Sequence, residues 1–416
     1  MNFSGTSERI LAQGVQALEA VAAQSMALDD WLDRKAGKEL RRALSSLLFT
    51  FFRKKRSIDT ALRECWERPP RPEVGFLLEL ALTLAVFQRA LRAESAVNVA
   101  VAAAKQRFGA GAGKFVNAVL RRALPKVRTD TPPEELLPEA VAARWRQNAG
   151  EAALRRRAEL FQQEAPTVAR WRSGFEAEIP PETQVLELPW PSCWQFTRLE
   201  RPEKTAQEAL FRKGAFYVQD PAPAAVAMLL EAAELPEKTR LLDLCAAPGG
   251  KLLLTLEYLA MRGVTAEATA LDRSEKRQER TRENLARCGV KAGVTVGDAT
   301  AWRPEDGGKF DLVLADVPCT NTGVFRRRPD ALWRWNAKAL TAMTAVQSAI
   351  LEHGAELCAP GGALLYSTCS LEKEENEALT AAFLAGHPEF ALTCERSLEP
   401  DETHDGTYGA LLKRKG

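Results

Sequence analysis

From Ser7 to about Leu124, apolar residues recur at three- and four-residue spacing, with Ala and Leu dominant and polar residues between them. That period gathers the apolar side chains on one stripe of a helix, so the segment predicts an all-helical domain. Breaks are expected at Pro69-Pro70 and at Gly109 to Gly113. A helix start is expected at Ser57 to Asp59, directly after the basic run Arg53-Lys54-Lys55-Arg56.

The texture then changes twice. A Thr/Pro/Glu stretch from Thr129 to Pro138 reads as a linker, followed by helical material around Trp145 to Gln163. Pro166 to Arg172, Val185 to Leu188 and Trp194 to Arg198 read as short strands, which predicts a small α/β module over about 140 to 215. From Phe216 onward, strand-like runs alternate with helices: Arg240 to Leu244, Ala268 to Leu271, Gly293 to Val296, Leu312 to Ala315 and Ala363 to Tyr366. Such alternation predicts a doubly wound parallel sheet with ligands at the carboxyl ends of its strands. Phe390 to Cys394 and Tyr408 to Lys413 are expected to form an antiparallel edge pair. The expected division is therefore 1–128, 129–215 and 216–416.

Composition narrows the class. The 416 residues, 46% of them apolar, suffice for two or three domains that each bury a core. The longest apolar stretches, such as Val74 to Phe87, are interrupted by Glu79 and Thr83, so neither a membrane span nor a signal peptide is expected. Eight scattered cysteines without a CxxC pair, and three histidines without a cluster, speak against zinc; no metal is expected. Reduced thiols suit the cytoplasm and leave thiol catalysis open. The net charge of +2 hides an asymmetry: residues 1 to 128 hold 22 Lys and Arg against 12 Asp and Glu. A basic helical part suggests a polyanionic partner, although a merely soluble Arg-rich surface fits the charge equally well.

Candidate chemistry lies in the last third. The first strand of the parallel series ends in Asp243-Leu244-Cys245-Ala246-Ala247-Pro248-Gly249-Gly250-Lys251 and runs into a helix. Small residues let the backbone approach a ligand, and the helix start offers free amide donors. Cys245 in place of the first glycine, and Leu252 after the lysine, exclude a Walker A loop. Asp272, Asp298 and Asp316 close three further strands; an Asp there is as often a helix cap as a ligand, but four strand-end carboxylates in one sheet point to a ligand site. Cys319 and Cys369 also stand at strand ends, opening on the same face as the loop. Cys65, Cys193, Cys288, Cys358 and Cys394, and Cys245 less clearly, read as small buried hydrophobes.

These blocks resemble the RsmB/NOP2/Sun family of RNA cytosine-5 methyltransferases. The matching residues are Phe216 to Asp220, Leu244 to Lys251, Asp316-Val317-Pro318-Cys319, Gly323 to Asp330, and Ser367 to Glu372 followed by Glu375-Asn376, in order over about 200 residues. The resemblance implies a class I, Rossmann-like S-adenosylmethionine-dependent methyltransferase domain, preceded by a small RRM-like α/β module and an all-α NusB-like RNA-binding domain. It implies that Cys369 is the nucleophile and that Cys319 helps to release the product. It places the cofactor on Cys245, Ala246, Ala247, Pro248, Gly249, Gly250 and Lys251, with Asp272, Asp298 and Asp316. C5 of cytosine is a poor nucleophile until a thiolate adds at C6, which explains the need for a thiol. Asp316 would bond the N3/N4 edge as charge builds on the ring.

The implied partner is RNA, most directly a cytosine of 16S ribosomal RNA, and a monomer is expected. Thr320-Asn321 stands where Ser-Gly is usual, and Leu252-Leu253 where a small polar pair is usual. Neither removes a group that the chemistry needs, and Asn321 is expected to shape the target-base pocket. Arg326 to Arg328 are expected to hold RNA phosphates, and Trp333 and Trp335 to pack. Three other readings remain at this point: methylation of transfer or large-subunit ribosomal RNA, methylation of a small molecule or protein, and a non-catalytic RNA-binding, antitermination-like factor.

Overall fold

A computed structural model describes residues 3–37, 39–88, 91–199 and 205–416. The chain forms two compact units, 1–164 with 325–335, and 165–324 with 336–416.

The first unit is helical: α1 (Phe3–Ala22), α2 (Leu28–Arg34), α3 (Arg41–Arg63), α4 (Pro72–Leu82), α5 (Ala93–Phe108), α6 (Ala110–Ala123) and α7 (Glu139–Gln162). Leu44, Leu47, Leu48, Phe51, Ile58 and Leu62 make the buried stripe of α3, the spacing that the sequence announced. Both predicted breaks occur. The chain is non-helical between Arg63 and Pro72, and Gly109 separates α5 from α6 at φ +92°, a conformation that side chains resist. The helix start at Ser57 does not occur; α3 runs straight through it. The Ser57 hydroxyl instead donates to the carbonyl of Arg128 at 2.5 Å, so a tertiary acceptor replaces the capping role.

Residues 325–335 belong to this unit although they follow the cysteine loop in sequence. Phe325 packs on Trp145 with ring centroids 5.8 Å apart, and the Trp333 indole donates to the Phe52 carbonyl at 2.7 Å. Asp330 is buried, accepting from Arg334 at 2.8 Å. Arg53, the first residue of the basic run, is buried and donates to the carbonyls of Phe161 and Arg326 at 3.2 and 2.9 Å.

The second unit holds two sheets. The smaller is antiparallel, in the order β2-β1-β3, from β1 (Val168–Trp171), β2 (Phe196–Arg198) and β3 (Phe216–Val218). Val185 contributes one isolated bridge to Thr197, so the strand expected at Val185 to Leu188 is absent; Phe216–Val218 takes the third place. Arg170 on β1 is fully buried, paired with Glu257 and Gln219.

The larger sheet comprises β4 (Lys238–Asp243), β5 (Thr265–Asp272), β6 (Gly293–Val296), β7 (Phe310–Asp316), β8 (Cys358–Thr368), β9 (Phe390–Leu398) and β10 (Thr407–Arg414). Their order is β6-β5-β4-β7-β8-β10-β9. The first five are parallel and β10 pairs antiparallel with both β8 and β9, as the closing apolar runs predicted. Leu241, Leu242, Leu312, Val313, Leu314, Leu364 and Leu365 are buried, consistent with a sheet covered on both faces. Among the described residues, no helix is long and apolar enough to cross a membrane.

Candidate active site

Strand β4 has β5 on one side and β7 on the other, so the chain order reverses at its carboxyl end, where open α/β sheets bind ligands. The predicted loop leaves at this point. The Leu244 amide still donates to Leu314, and the Ala246 amide to Leu271, at 2.9 and 2.8 Å. Gly249 then turns the chain at φ +96°, and a helix runs over Gly250–Met261. A Cβ at Gly250 would stand 3.0 Å from the Tyr217 ring, so Tyr217 packs directly under the loop. Asn284 fixes the same turn, donating to the Pro248 carbonyl at 2.9 Å and to the Tyr217 hydroxyl at 3.2 Å.

Asp272, at the end of β5, is buried and accepts from the Ser274 amide at 3.0 Å; Arg277 pairs with it at 3.2 Å. Asp298 is exposed and accepts from both the amide and the hydroxyl of Thr300, bonds that hold its carboxyl below the ordinary range. Both carboxylates thus also serve their own turns, the alternative weighed from the sequence. Asp316, ending β7, pairs with Lys251 and accepts from the Ser367 hydroxyl at 3.0 Å. Burial alone would lower the Lys251 ammonium, but the Asp316 carboxylate beside it raises it. Asp243 lies fully buried behind them, pushed up to about 7 by burial and then by the charge of Asp316. Burial, followed by the charge of Asp243, likewise raises the Cys245 thiol.

The strand-end cysteines meet. Cys319 Sγ and Cys369 Sγ are 3.1 Å apart, with Cys319 buried and Cys369 partly open. The hydrogen bond to Cys369, and then burial, push the Cys319 thiol well above its ordinary value. Asn321 stands between the two. Its φ is +62°, its amide Nδ2 donates to the Cys319 carbonyl at 2.8 Å, and its Oδ1 accepts from Cys369 Sγ at 3.4 Å.

The two loops are joined by residues that carried no assigned role in the sequence. Glu375 is fully buried; its carboxylate accepts from the Thr320 amide at 2.8 Å, from Gln347 at 2.9 Å, and from the hydroxyls of Thr320 and Ser370. Thr322 Oγ1 lies 3.0 Å from Ser370 Oγ, and the Gly323 amide donates to the Cys369 carbonyl at 2.9 Å. Asn376 binds the Thr368 hydroxyl and the Ser370 carbonyl at 2.6 and 2.9 Å. Glu375 and Asn376 stood in the matched motif without roles, and nothing in the local pattern marked Gln347.

Arg326 is buried, against the expectation that it meets phosphates, and Arg328 pairs with Asp29 at 3.3 Å. Trp333 packs, as expected. Among the described residues no cluster of His, Cys, Asp or Glu is arranged to hold a metal ion.

The donor set suits S-adenosylmethionine: loop amides and the Lys251 ammonium for a carboxylate, and Asp272 at the end of the second strand for ribose hydroxyls. A Rossmann-like sheet with this loop and a strand-end thiol pair defines an S-adenosylmethionine-dependent RNA methyltransferase. The chain belongs to the 16S rRNA methyltransferase RsmB/F family, whose model matches residues 227–411, and a NusB family model matches residues 7–125. It is 34% identical to the ribosomal RNA small subunit methyltransferase B of Xanthomonas campestris, over 83% of this chain and 79% of that protein. The protein of the same name in Thermus thermophilus is 33% identical, over 93% and 89%. Among solved structures, that of PH0851 shares the fold at a TM-score of 0.78, with 22% identity over 98% of each chain.

Proposed function

We propose that this protein methylates C5 of a cytosine in 16S ribosomal RNA through a covalent bond between Cys369 Sγ and C6 of the base. The observation that carries the reading is the 3.1 Å approach of Cys319 and Cys369, at the ends of neighbouring parallel strands and beside the Lys251–Asp316 pair.

Once deprotonated, Cys369 Sγ bonds C6 and the displaced ring electrons make C5 nucleophilic. S-adenosylmethionine, when bound, supplies the methyl group as an electrophile. The C5 proton then leaves to a base, its bonding electrons restore the C5–C6 double bond, and the C6–S bond breaks to regenerate Cys369. Cys319, in contact with the same sulfur, assists this release. Lys251 and Ser367 hold one oxygen of Asp316, and that carboxylate accepts from the N4 amino group of the ring. Residues 245–251, Asp272, Asp298 and Asp316 bind the cofactor.

Residues 1–128 bind RNA, residues 129–215 form a linker and a small RNA-binding module, and residues 216–416 form the catalytic part; the +10 balance of the first segment supports this division. The protein acts as a monomer in the cytoplasm. Incubating it with methyl-labelled cofactor and either 30S subunits or free 16S RNA, then mapping the label, tests the reading. Label on a single cytosine C5 of 16S RNA is expected; no label on 16S RNA in either form, with label on transfer RNA or 23S RNA supplied in a parallel incubation, would refute it.

A further inference from the structure

We infer that Asn321 is a positioning residue that sets the direction of the hydrogen bonds between the two cysteines, marking Cys369 as the sulfur to be freed for attack. The inference rests on the assignment of Cys369 as nucleophile.

An Asn side chain can be turned end for end, but here its orientation is determined by its partners. The Cys319 carbonyl only accepts, so the amide end of Asn321 must face it, at 2.8 Å. That leaves the acceptor Oδ1 for Cys369 Sγ, 3.4 Å away, so Cys369 spends its one proton on Asn321. The contact between the sulfurs at 3.1 Å must then be donated by Cys319. The chain of bonds runs one way, from Cys319 to Cys369 to Asn321. The raised Cys319 thiol agrees, since a donor holds its proton more firmly. When Cys369 loses its proton, the Cys319 thiol already points at the sulfur and steadies the thiolate.

The backbone explains why this residue can serve. At φ +62° the position disfavours most side chains, while Gly, Asn and Asp tolerate it. An acceptor on a thiol favours the neutral form, so Oδ1 restrains Cys369 until a base is in place. Titratable groups that act on it include Cys319 and Lys251, with Glu375 acting on Cys319 and Asp316 paired with Lys251.

The test is the rate at which iodoacetamide alkylates Cys369 in the full-length protein, read by peptide mass spectrometry between about pH 6 and pH 10. Asn321→Gly keeps the backbone conformation and removes the acceptor, so the titration midpoint is expected to fall by about half a unit or more. Asn321→Asp places a negative charge beside the sulfur, and the midpoint is expected to rise. Midpoints that stay at the parent value in both variants, or move the same way in both, overturn the inference. Alkylation needs neither RNA nor methyl donor, so this outcome is separate from failure of the methylation reading.

Discussion

The carboxylate of Glu375 accepts the backbone amide of Thr320 at 2.8 Å, directly linking the loop after β8 to the residue that follows Cys319. With Gln347 and the hydroxyls of Thr320 and Ser370 also bound to it, one buried side chain ties together the two loops that carry the sulfurs. Replacing it with alanine takes the carboxylate away from the Thr320 amide and from both hydroxyls, while Gln347 keeps only its bond to the Pro318 carbonyl. Glu375→Ala is therefore expected to cost about 2–4 kcal/mol of stability, measured by denaturant unfolding. Methyl transfer should fall at least tenfold even where the variant is fully folded, with Glu375→Gln intermediate in both respects.

The two cysteines are expected to fail differently. Cys369→Ala should abolish methyl transfer and form no adduct. Cys319→Ala should accumulate a covalent protein–RNA complex that migrates slowly on a denaturing gel. A slow band from Cys369→Ala instead would reverse the assigned roles.

Gly323 has no room for a side chain. A Cβ there would lie 2.7 Å from the Gly406 carbonyl oxygen and 2.8 Å from that of Cys369. Both obstacles are backbone, so Gly323→Ala must move the Cys369 loop. Methyl transfer is expected to drop by about tenfold or more, with a stability loss of about 1–3 kcal/mol seen in thermal unfolding.

Asp243 makes stability depend on pH. Its carboxyl titrates at about 7 in the folded chain, above its unfolded value, so the folded state binds the extra proton between the two. The stabilising contribution is complete below the unfolded value and is lost as the pH rises through about 7. Asp243→Asn removes that loss while keeping an acceptor for the Cys245 amide. The melting temperature of the variant relative to the parent should rise between pH 5 and pH 8; a constant difference would contradict this.

Much of the catalytic half was legible because each parallel strand is a short apolar run that ends in an acidic or sulfur-bearing residue. Asp243, Asp272, Asp316, Cys319 and Cys369 fall at or just beyond those ends, where a parallel sheet must bring them together. Other features depend on partners remote in sequence. Ser57 looks like a helix cap until the carbonyl of Arg128 takes its hydroxyl, and Arg53 looks exposed until Phe161 and Arg326 receive its guanidinium. Glu375 ends the charged run Glu372-Lys373-Glu374-Glu375, and only the return of β7 beside β8 brings up the Thr320 donors that hold it. The matched motif flagged Asn321 as a departure, but its positive φ and its hold on two sulfurs were visible only in the fold.

The passage of residues 325–335 through the helical unit limits how such genes can be recombined. A chimera that takes residues 1–164 from a relative would leave Phe325, Asp330 and Trp333 matched to a foreign Trp145, Leu28 and Phe52. A functional swap therefore has to transplant two separated stretches of coding sequence, and the second begins two codons after the glycine that braces the nucleophile's loop.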